Sequence, residues 1–362
     1  MSAMRELWYG HGVASRVARG ALLPASLLYE AGARLRDWRY SHLRGAVLEA
    51  EVPVLSLGNL TVGGTGKTPM AAWAAATLRT RGGRPAIVMR GYGGDEALVH
   101  ARLNPDVSVI VDANRVRGAA RAHALGADCV ILDDGFQHRR IARVSDWVLV
   151  AAESWRDDLR LLPAGPLREP SSALARADIV VVTRKSATRA DAEVLGDRLS
   201  RRFPSLGVAL CYFAPDGLVE ARTGERRSLV WLAGKRVTAA AAVGAPDAFF
   251  AQLRNAGAEI QERPFRDHHG FSEADITSLV AAAERGDGLL CTLKDAVKLA
   301  PRWPPAAAPL WYVSQIAVIE RGEPLLAHAL EAVLAARQGV SSTAGSAGPS
   351  SPPNGHRSST AY

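Results

Sequence analysis

Residues 54–69 read Val-Leu-Ser-Leu-Gly-Asn-Leu-Thr-Val-Gly-Gly-Thr-Gly-Lys-Thr-Pro, and their order is that of a phosphate cradle. An apolar run enters a glycine-rich turn, and Gly66-Lys67-Thr68 then opens a helical stretch. Glycines let backbone N–H groups close on an anion, and a helix N-terminus adds partial positive charge. Lys67 can reach the outer phosphates and Thr68 can hold Mg²⁺, so the chain is expected to use a nucleoside triphosphate. The usual pattern has a glycine where Thr61 stands, so the strict spacing is not met. Pro69 suits a first helical turn, which needs no N–H there. A second element points the same way. Val130-Ile131-Leu132-Asp133-Asp134 is a buried-type strand ending in two acids, and in a P-loop enzyme such an acid holds Mg²⁺ beside the loop.

The elements that must position these groups follow from periodicity. Short Val/Ile/Leu/Ala runs at 54–57, 86–89, 107–111, 129–132, 147–151 and 179–183 read as strands. Helical segments are expected at 67–81, 114–125, 171–177 and 188–202. Near-continuous apolar strands imply burial on both faces, hence a mostly parallel sheet flanked by helices, with ligands at the carboxyl ends of the strands. The Arg90-Gly91-Tyr92-Gly93-Gly94 turn lies at such an end. A polar, Arg-rich stretch at 220–228 suggests a boundary, after which a second α/β set runs through strands at 236–243, 258–262, 288–292 and 310–313. Helices are expected there at 246–256, 272–285, 294–299 and 323–337.

The expected organisation is therefore an N-terminal interfacial helical segment (1–42), a P-loop nucleotide-binding domain (43–222) and a smaller α/β domain (223–338). The Ser/Gly/Pro-rich tail (339–362) is too poor in apolar residues to order itself.

The chain has 362 residues, room for two cores, and a net charge of +8 that favours an acidic partner. No basic block with interleaved aromatics occurs, which argues against nucleic acid. Three widely spaced cysteines give neither a zinc pattern nor a disulfide frame. Gly20–Tyr29 is apolar with arginines on both sides, too short to span a bilayer, which needs ~20 apolar residues. An amphipathic helix lying in the interface fits it, and a helix packed on the domain remains the alternative.

Several motifs in fixed order carry a family resemblance. They are 58–69, Arg-Gly-Tyr-Gly-Gly (90–94), Asp-Asp-Gly-Phe-Gln-His (133–138) and Leu-Pro-Ala-Gly-Pro-Leu-Arg-Glu (162–169). Phe-Arg-Asp-His-His (265–269) and Thr-Leu-Lys-Asp-Ala-Val-Lys-Leu (292–299) complete the series. From about residue 8 to 337 the sequence resembles tetraacyldisaccharide 4′-kinases, the lipid A 4′-kinases of Gram-negative bacteria.

The resemblance implies phosphorylation of the 4′-hydroxyl of a tetraacyl glucosamine disaccharide 1-phosphate with ATP and Mg²⁺, by a monomer at the cytoplasmic face of the inner membrane. It places Gly63, Gly64, Thr65, Gly66, Lys67 and Thr68 on ATP. Asp95 becomes the catalytic acid-base group, partnered by His268. Glu96, Asp133, Asp134 and Thr68 become metal-site groups, and Arg168 stabilises transferred charge or forms a structural ion pair with a neighbour. Gln137, His138 and Glu169 match positional residues. Departures are the short link before Asp95, Leu293 in place of an acid and Ala245 in place of an Asn. Against a ParA/MinD-like ATPase stands Val62, where that class has lysine. A non-catalytic nucleotide-binding module is the reading if Asp95 is not the reacting group.

Overall fold

The computed structural model describes residues 2–91, 94–244 and 246–344. Tyr92, Gly93, Ala245 and the tail from 345 lie outside them, so the expectations for the glycine turn, the Ala245 departure and most of the tail go unaddressed. In chain order the elements are α1 (Ser2–Tyr9), α2 (Val13–Ala21), α3 (Leu23–His42), β1 (Val54–Asn59), α4 (Lys67–Thr80) and β2 (Pro85–Met89). Next come α5 (Asp95–Leu103), β3 (Ser108–Val111), α6 (Arg115–Ala124), β4 (Cys129–Asp133), β5 (Ser145–Ala151), β6 (Ile179–Arg184) and α7 (Arg189–Arg202). The remainder is β7 (Gly207–Glu220), β8 (Arg226–Arg227), β9 (Arg236–Ala241), α8 (Pro246–Asn255), β10 (Glu259–Pro264), α9 (Glu273–Ala283), β11 (Leu289–Cys291), α10 (Leu293–Leu299), β12 (Leu310–Arg321) and α11 (Glu323–Ala344).

One sheet runs through the molecule in the order β10-β9-β11-β12-β7-β6-β5-β1-β4-β2-β3, with β8 paired to β7. Every pair is parallel except β7 with β12 and β7 with β8. β1, β2 and β4 are buried along their whole length because helices cover both faces, as parallel sheets require. On one face α4 lays Met70, Ala71, Ala74 and Leu78 against Leu55, Leu57, Trp147 and Val181. Its alanines let the helix approach the sheet closely. On the other face α7 brings Ala192, Leu195 and Leu199 onto Val148, Val150, Val180 and Val182. The second lobe repeats the sandwich, with α9 and α10 on one side and α8 on the other.

Several elements depart from the expectation. Residues 95–103 form α5, and 207–220 form β7, neither of which periodicity predicted. The 171–177 helix is a short 3-10 stretch, Ser171–Arg176. β7 and β12 make a long antiparallel ribbon, from Trp311↔Glu220 to Arg321↔Leu210, that belongs to both lobes. The boundary expected at 220–228 is thus crossed by a shared sheet, and α11 returns Leu326, Leu330 and Val333 to the first-lobe core. α11 also includes residues 339–344, which composition had assigned to the tail.

The N-terminal helices dock by polar contacts. Ser26 sits buried on α3, donating to the Leu161 carbonyl at 3.1 Å and accepting from the Ala164 N–H at 3.0 Å. Trp8 Nε1 donates to the Pro163 carbonyl at 3.0 Å and Tyr29 to the Arg168 carbonyl at 3.0 Å. Arg36 pairs with buried Glu169 at 2.5 Å. The opposite face of α3 is apolar and open, with Leu28 77 % exposed, Leu35 67 % and Trp38 52 %. No described helix is long and apolar enough to cross a membrane.

Candidate active site

The glycine turn at 63–66 leaves β1 and ends on Gly66, whose φ of 89° caps α4 in the left-handed region. A Cβ there would stand 2.1 Å from the Phe213 ring of β7, so glycine is required on two counts. The loop is fastened from both sides. Thr183 Oγ1, at the end of β6, donates to the Thr65 carbonyl at 2.9 Å, and Val62 N–H donates to the Pro166 carbonyl at 2.8 Å. Lys185 Nζ lies 3.4 Å from the Gly64 carbonyl. Lys67 Nζ points across the loop, 3.1 Å from Asn59 Oδ1 and 3.4 Å from Asp134 Oδ1. Thr68 follows it in the first turn of α4.

Four acids gather at this mouth. Asp134 leaves the end of β4 with a φ of 57°, a left-handed conformation rare outside glycine. Arg168 holds both of its oxygens, at 3.0 and 2.8 Å. Burial works to raise the Asp134 carboxyl, but Lys67 and Arg168 outweigh it and keep it below the ordinary range. Asp133 is buried, and its Oδ2 meets Nε2 of His100 at 2.8 Å. Its Oδ1 has no hydrogen-bond partner among the described residues.

Asp95 and Glu96 open α5. Asp95 is 4 % exposed, with Oδ2 3.2 Å from His268 Nδ1 and 3.8 Å from Lys298 Nζ. Asp95 Oδ1, like Asp133 Oδ1, is buried and unmatched among the described residues. The Glu96 carboxyl is pushed up, first by burial and then by neighbouring Asp133, while Lys294 and Lys67 act the other way. Glu96 therefore shares one electrostatic neighbourhood with the phosphate loop.

His268 comes from the second lobe, in the loop after β10, and also has a φ of 57°. Backbone strain at two chemistry-bearing residues of one cleft is a mark of a functional site. The neighbouring His269 turns away to Asp275 at 3.0 Å and stacks on Phe265, so the Asp267-His268-His269 run does not converge. Among the described residues no three His, Cys, Asp or Glu side chains form a ready metal cage. Mg²⁺ commonly takes one or two carboxylates together with phosphates, and Asp134, 3.4 Å from Lys67, and Asp133, with one oxygen unmatched among the described residues, are carboxylates of that kind.

The structure thus brings together Asp95, Glu96, Asp133, Asp134, Lys67, Arg168 and His268. Sequence reasoning overlooked Phe213, which sits on the missed β7, and Asn59, Lys185 and Lys298. It also overlooked His100, which lies on the missed α5. The i,i+4 spacing of Glu96 and His100 would have signalled a shared helix had its start been recognised. Gln137 donates to the Asn59 carbonyl at 2.9 Å, and burial together with Arg115, Arg143, Arg140 and Arg90 lowers His138 to about 4.

Comparisons with known proteins identify the family. The family profile described as tetraacyldisaccharide-1-P 4′-kinase matches residues 18–335. A tetraacyldisaccharide 4′-kinase of Anaeromyxobacter sp. (strain Fw109-5) is 38 % identical, covering 95 % of this chain and all of the relative. The corresponding protein of Halorhodospira halophila is 38 % identical over 84 % of this chain and 90 % of its own length. The Aquifex aeolicus LpxK crystal structure in complex with ATP superposes with a TM-score of 0.70 at 29 % identity, covering 87 % of this chain and 99 % of that one. The chain belongs to the tetraacyldisaccharide 4′-kinase family.

Proposed function

We propose that this member of the family is an ATP-dependent kinase that phosphorylates the 4′-hydroxyl of a tetraacyl glucosamine disaccharide 1-phosphate, a step of lipid A biosynthesis. It is a phosphotransferase with an alcohol acceptor. The observation that carries the residue assignment is the meeting of Asp95 from the first lobe with His268 from the second, at 3.2 Å, beside the phosphate loop.

Phosphoryl transfer asks a protein for positioning and for compensation of charge. Gly63, Gly64, Thr65 and Gly66 supply backbone donors to the triphosphate, and Lys67 leaves Asp134 to meet its outer phosphates. Arg168, already beside Asp134, stabilises charge on the transferred group through its planar fork. Asp95 accepts the proton of the sugar hydroxyl as that oxygen bonds to the γ-phosphorus and the bond to the β-bridging oxygen breaks, releasing ADP. His268 orients Asp95 and passes the proton on to solvent, and its half-exposed ring suits that role. Thr68, Glu96, Asp133 and Asp134 would hold Mg²⁺, which would supply compensation of the charge on the outer phosphates.

The surfaces of α2 and α3 support attachment to a membrane, which the proposed function would place at the cytoplasmic face. Their exposed Val13, Val17, Leu27, Leu28, Leu35 and Trp38 lie among Arg16, Arg19, Arg34 and Arg39, the composition of an interfacial helix on an anionic surface. α3 grips the 161–169 loop through Ser26, Tyr29 and Arg36, and Arg168 of that loop touches Asp134. The path from a lipid surface to the reacting groups is therefore short. The test is transfer of labelled γ-phosphate from ATP to the tetraacyl disaccharide 1-phosphate in detergent micelles. An unlabelled lipid, beside an active control kinase, would overturn the reading.

A further inference from the structure

A buried histidine stands behind the acids. His100 is fully buried on α5, one and a half turns after Asp95, and contacts Asp133 Oδ2 at 2.8 Å. An ionised carboxylate only accepts, so the ring donates from Nε2, which leaves Nδ1 as an acceptor. Among the described residues neither Nδ1 nor Asp133 Oδ1 has a hydrogen-bond partner. The two groups thus spend one hydrogen bond on each other, and the second carboxylate oxygen remains uncommitted. Asp133 is the last residue of β4, and its side chain shares an electrostatic neighbourhood with Glu96 and through it with Lys67. α5 carries Asp95, Glu96 and His100 on one rigid element.

We propose that His100 is a positioning residue for Asp133, and that through Asp133 it sets the affinity of the site for the divalent cation of the nucleotide complex. The inference rests on the assignment of Asp133 to the metal site. Free rotation of a carboxylate would offer either oxygen in turn. With Oδ2 fixed by the imidazole, only Oδ1 faces the site, in one orientation. Hydrogen bonds of this kind behind a metal-binding carboxylate are worth about 10–100-fold in metal affinity. A purely structural role predicts a different pattern. Removing His100 would then lower stability and leave cation binding intact.

The experiment measures Mn²⁺ binding to the full chain in the presence of ATP, by the loss of the free-ion electron paramagnetic resonance signal, for wild type, His100→Leu, His100→Gln, Asp133→Asn and the Leu/Asn double variant. His100→Leu should weaken Mn²⁺ binding about 10–100-fold. His100→Gln, whose amide N–H reaches the place of Nε2, should recover most of the loss. The double variant should bind no more weakly than Asp133→Asn, because His100 acts only through that carboxylate. In turnover, the Mg²⁺ concentration needed for half-maximal rate should rise while kcat at saturating Mg²⁺ stays near wild type. Wild-type affinity in His100→Leu, or an equal loss in His100→Gln, overturns the inference. If His100→Leu does not fold, His100→Gln and the Asp133→Asn background still decide it. Undiminished binding in Asp133→Asn would instead overturn the assignment of Asp133, separating the two failures.

Discussion

Asp95 and His268 are predicted to act as one unit, and this can be put in numbers. Asp95→Asn keeps the size of the side chain and a contact to His268 but cannot take a proton. A positioned general base contributes about 10²–10⁴-fold. At 1.36 kcal/mol per decade the substitution should therefore raise the barrier by about 3–5 kcal/mol. The Michaelis constant for ATP should change little, since Asp95 sits at the start of α5 and not on the phosphate loop. His268→Ala removes the 3.2 Å partner and leaves Lys298, at 3.8 Å, as the remaining cation near the carboxylate. A loss of about 10²-fold is expected, with the base still present but free to pair with lysine. Because each group works through the other, the double variant should be about as slow as Asp95→Asn alone. Initial rates with labelled ATP at saturating lipid give all three values, and fluorescent nucleotide binding confirms that the site is intact. Losses that multiply across the cycle would refute the pairing, and wild-type kcat in Asp95→Asn would remove Asp95 from the chemistry.

Gly66→Ala should cost about 1–2 kcal/mol for the left-handed backbone alone, and its Cβ would displace the Phe213 ring; a wild-type dissociation constant for ATP would contradict the role given to this turn. Replacing Leu28 and Leu35 together by Glu should abolish sedimentation with anionic vesicles while leaving the melting temperature within a degree or two, since both side chains are exposed. A third expectation concerns pH. His138 is lowered to about 4 in the fold against about 6.5 unfolded, so between those values the unfolded chain binds the extra proton. Stability contributed by this group is complete above pH 6.5 and is lost as pH falls toward 4. The melting-temperature difference between wild type and His138→Gln should move against wild type from pH 7 to pH 5, and a constant difference would show that His138 is not held neutral.

Much of the first lobe was readable in the sequence because its signals are local. The apolar run, the glycine turn and the Lys-Thr pair sit within one short stretch, and parallel strands buried on both faces leave uninterrupted Val/Ile/Leu runs. β7 escaped because Pro215, Asp216 and Gly217 interrupt an otherwise apolar segment. The interruption coincides with the register shift at Ser314/Gln315, where the ribbon passes from one lobe to the other. Antiparallel pairing with β12 tolerates what a central parallel strand would not. α5 escaped because its start carries two acids and its glycine cap was read as loop. The pairing of His268 with Asp95 was visible only through the family resemblance, since 173 positions separate them. His100 had no such guide. A lone histidine in an apolar context signals core more often than site, and only the position of Asp133 behind it changes that reading.

The return of α11 to the first lobe has a consequence for synthesis on the ribosome. Leu326, Leu330 and Val333 fill the same core as Leu55 and Ile87, yet they are made after the whole of the second lobe. Early strands must wait, with one hydrophobic flank uncovered, until the residues of α11 have been made. A nascent chain stalled before residue 323 should accordingly bind chaperones and yield to protease within α4, and release of α11 from the ribosome should close that window abruptly.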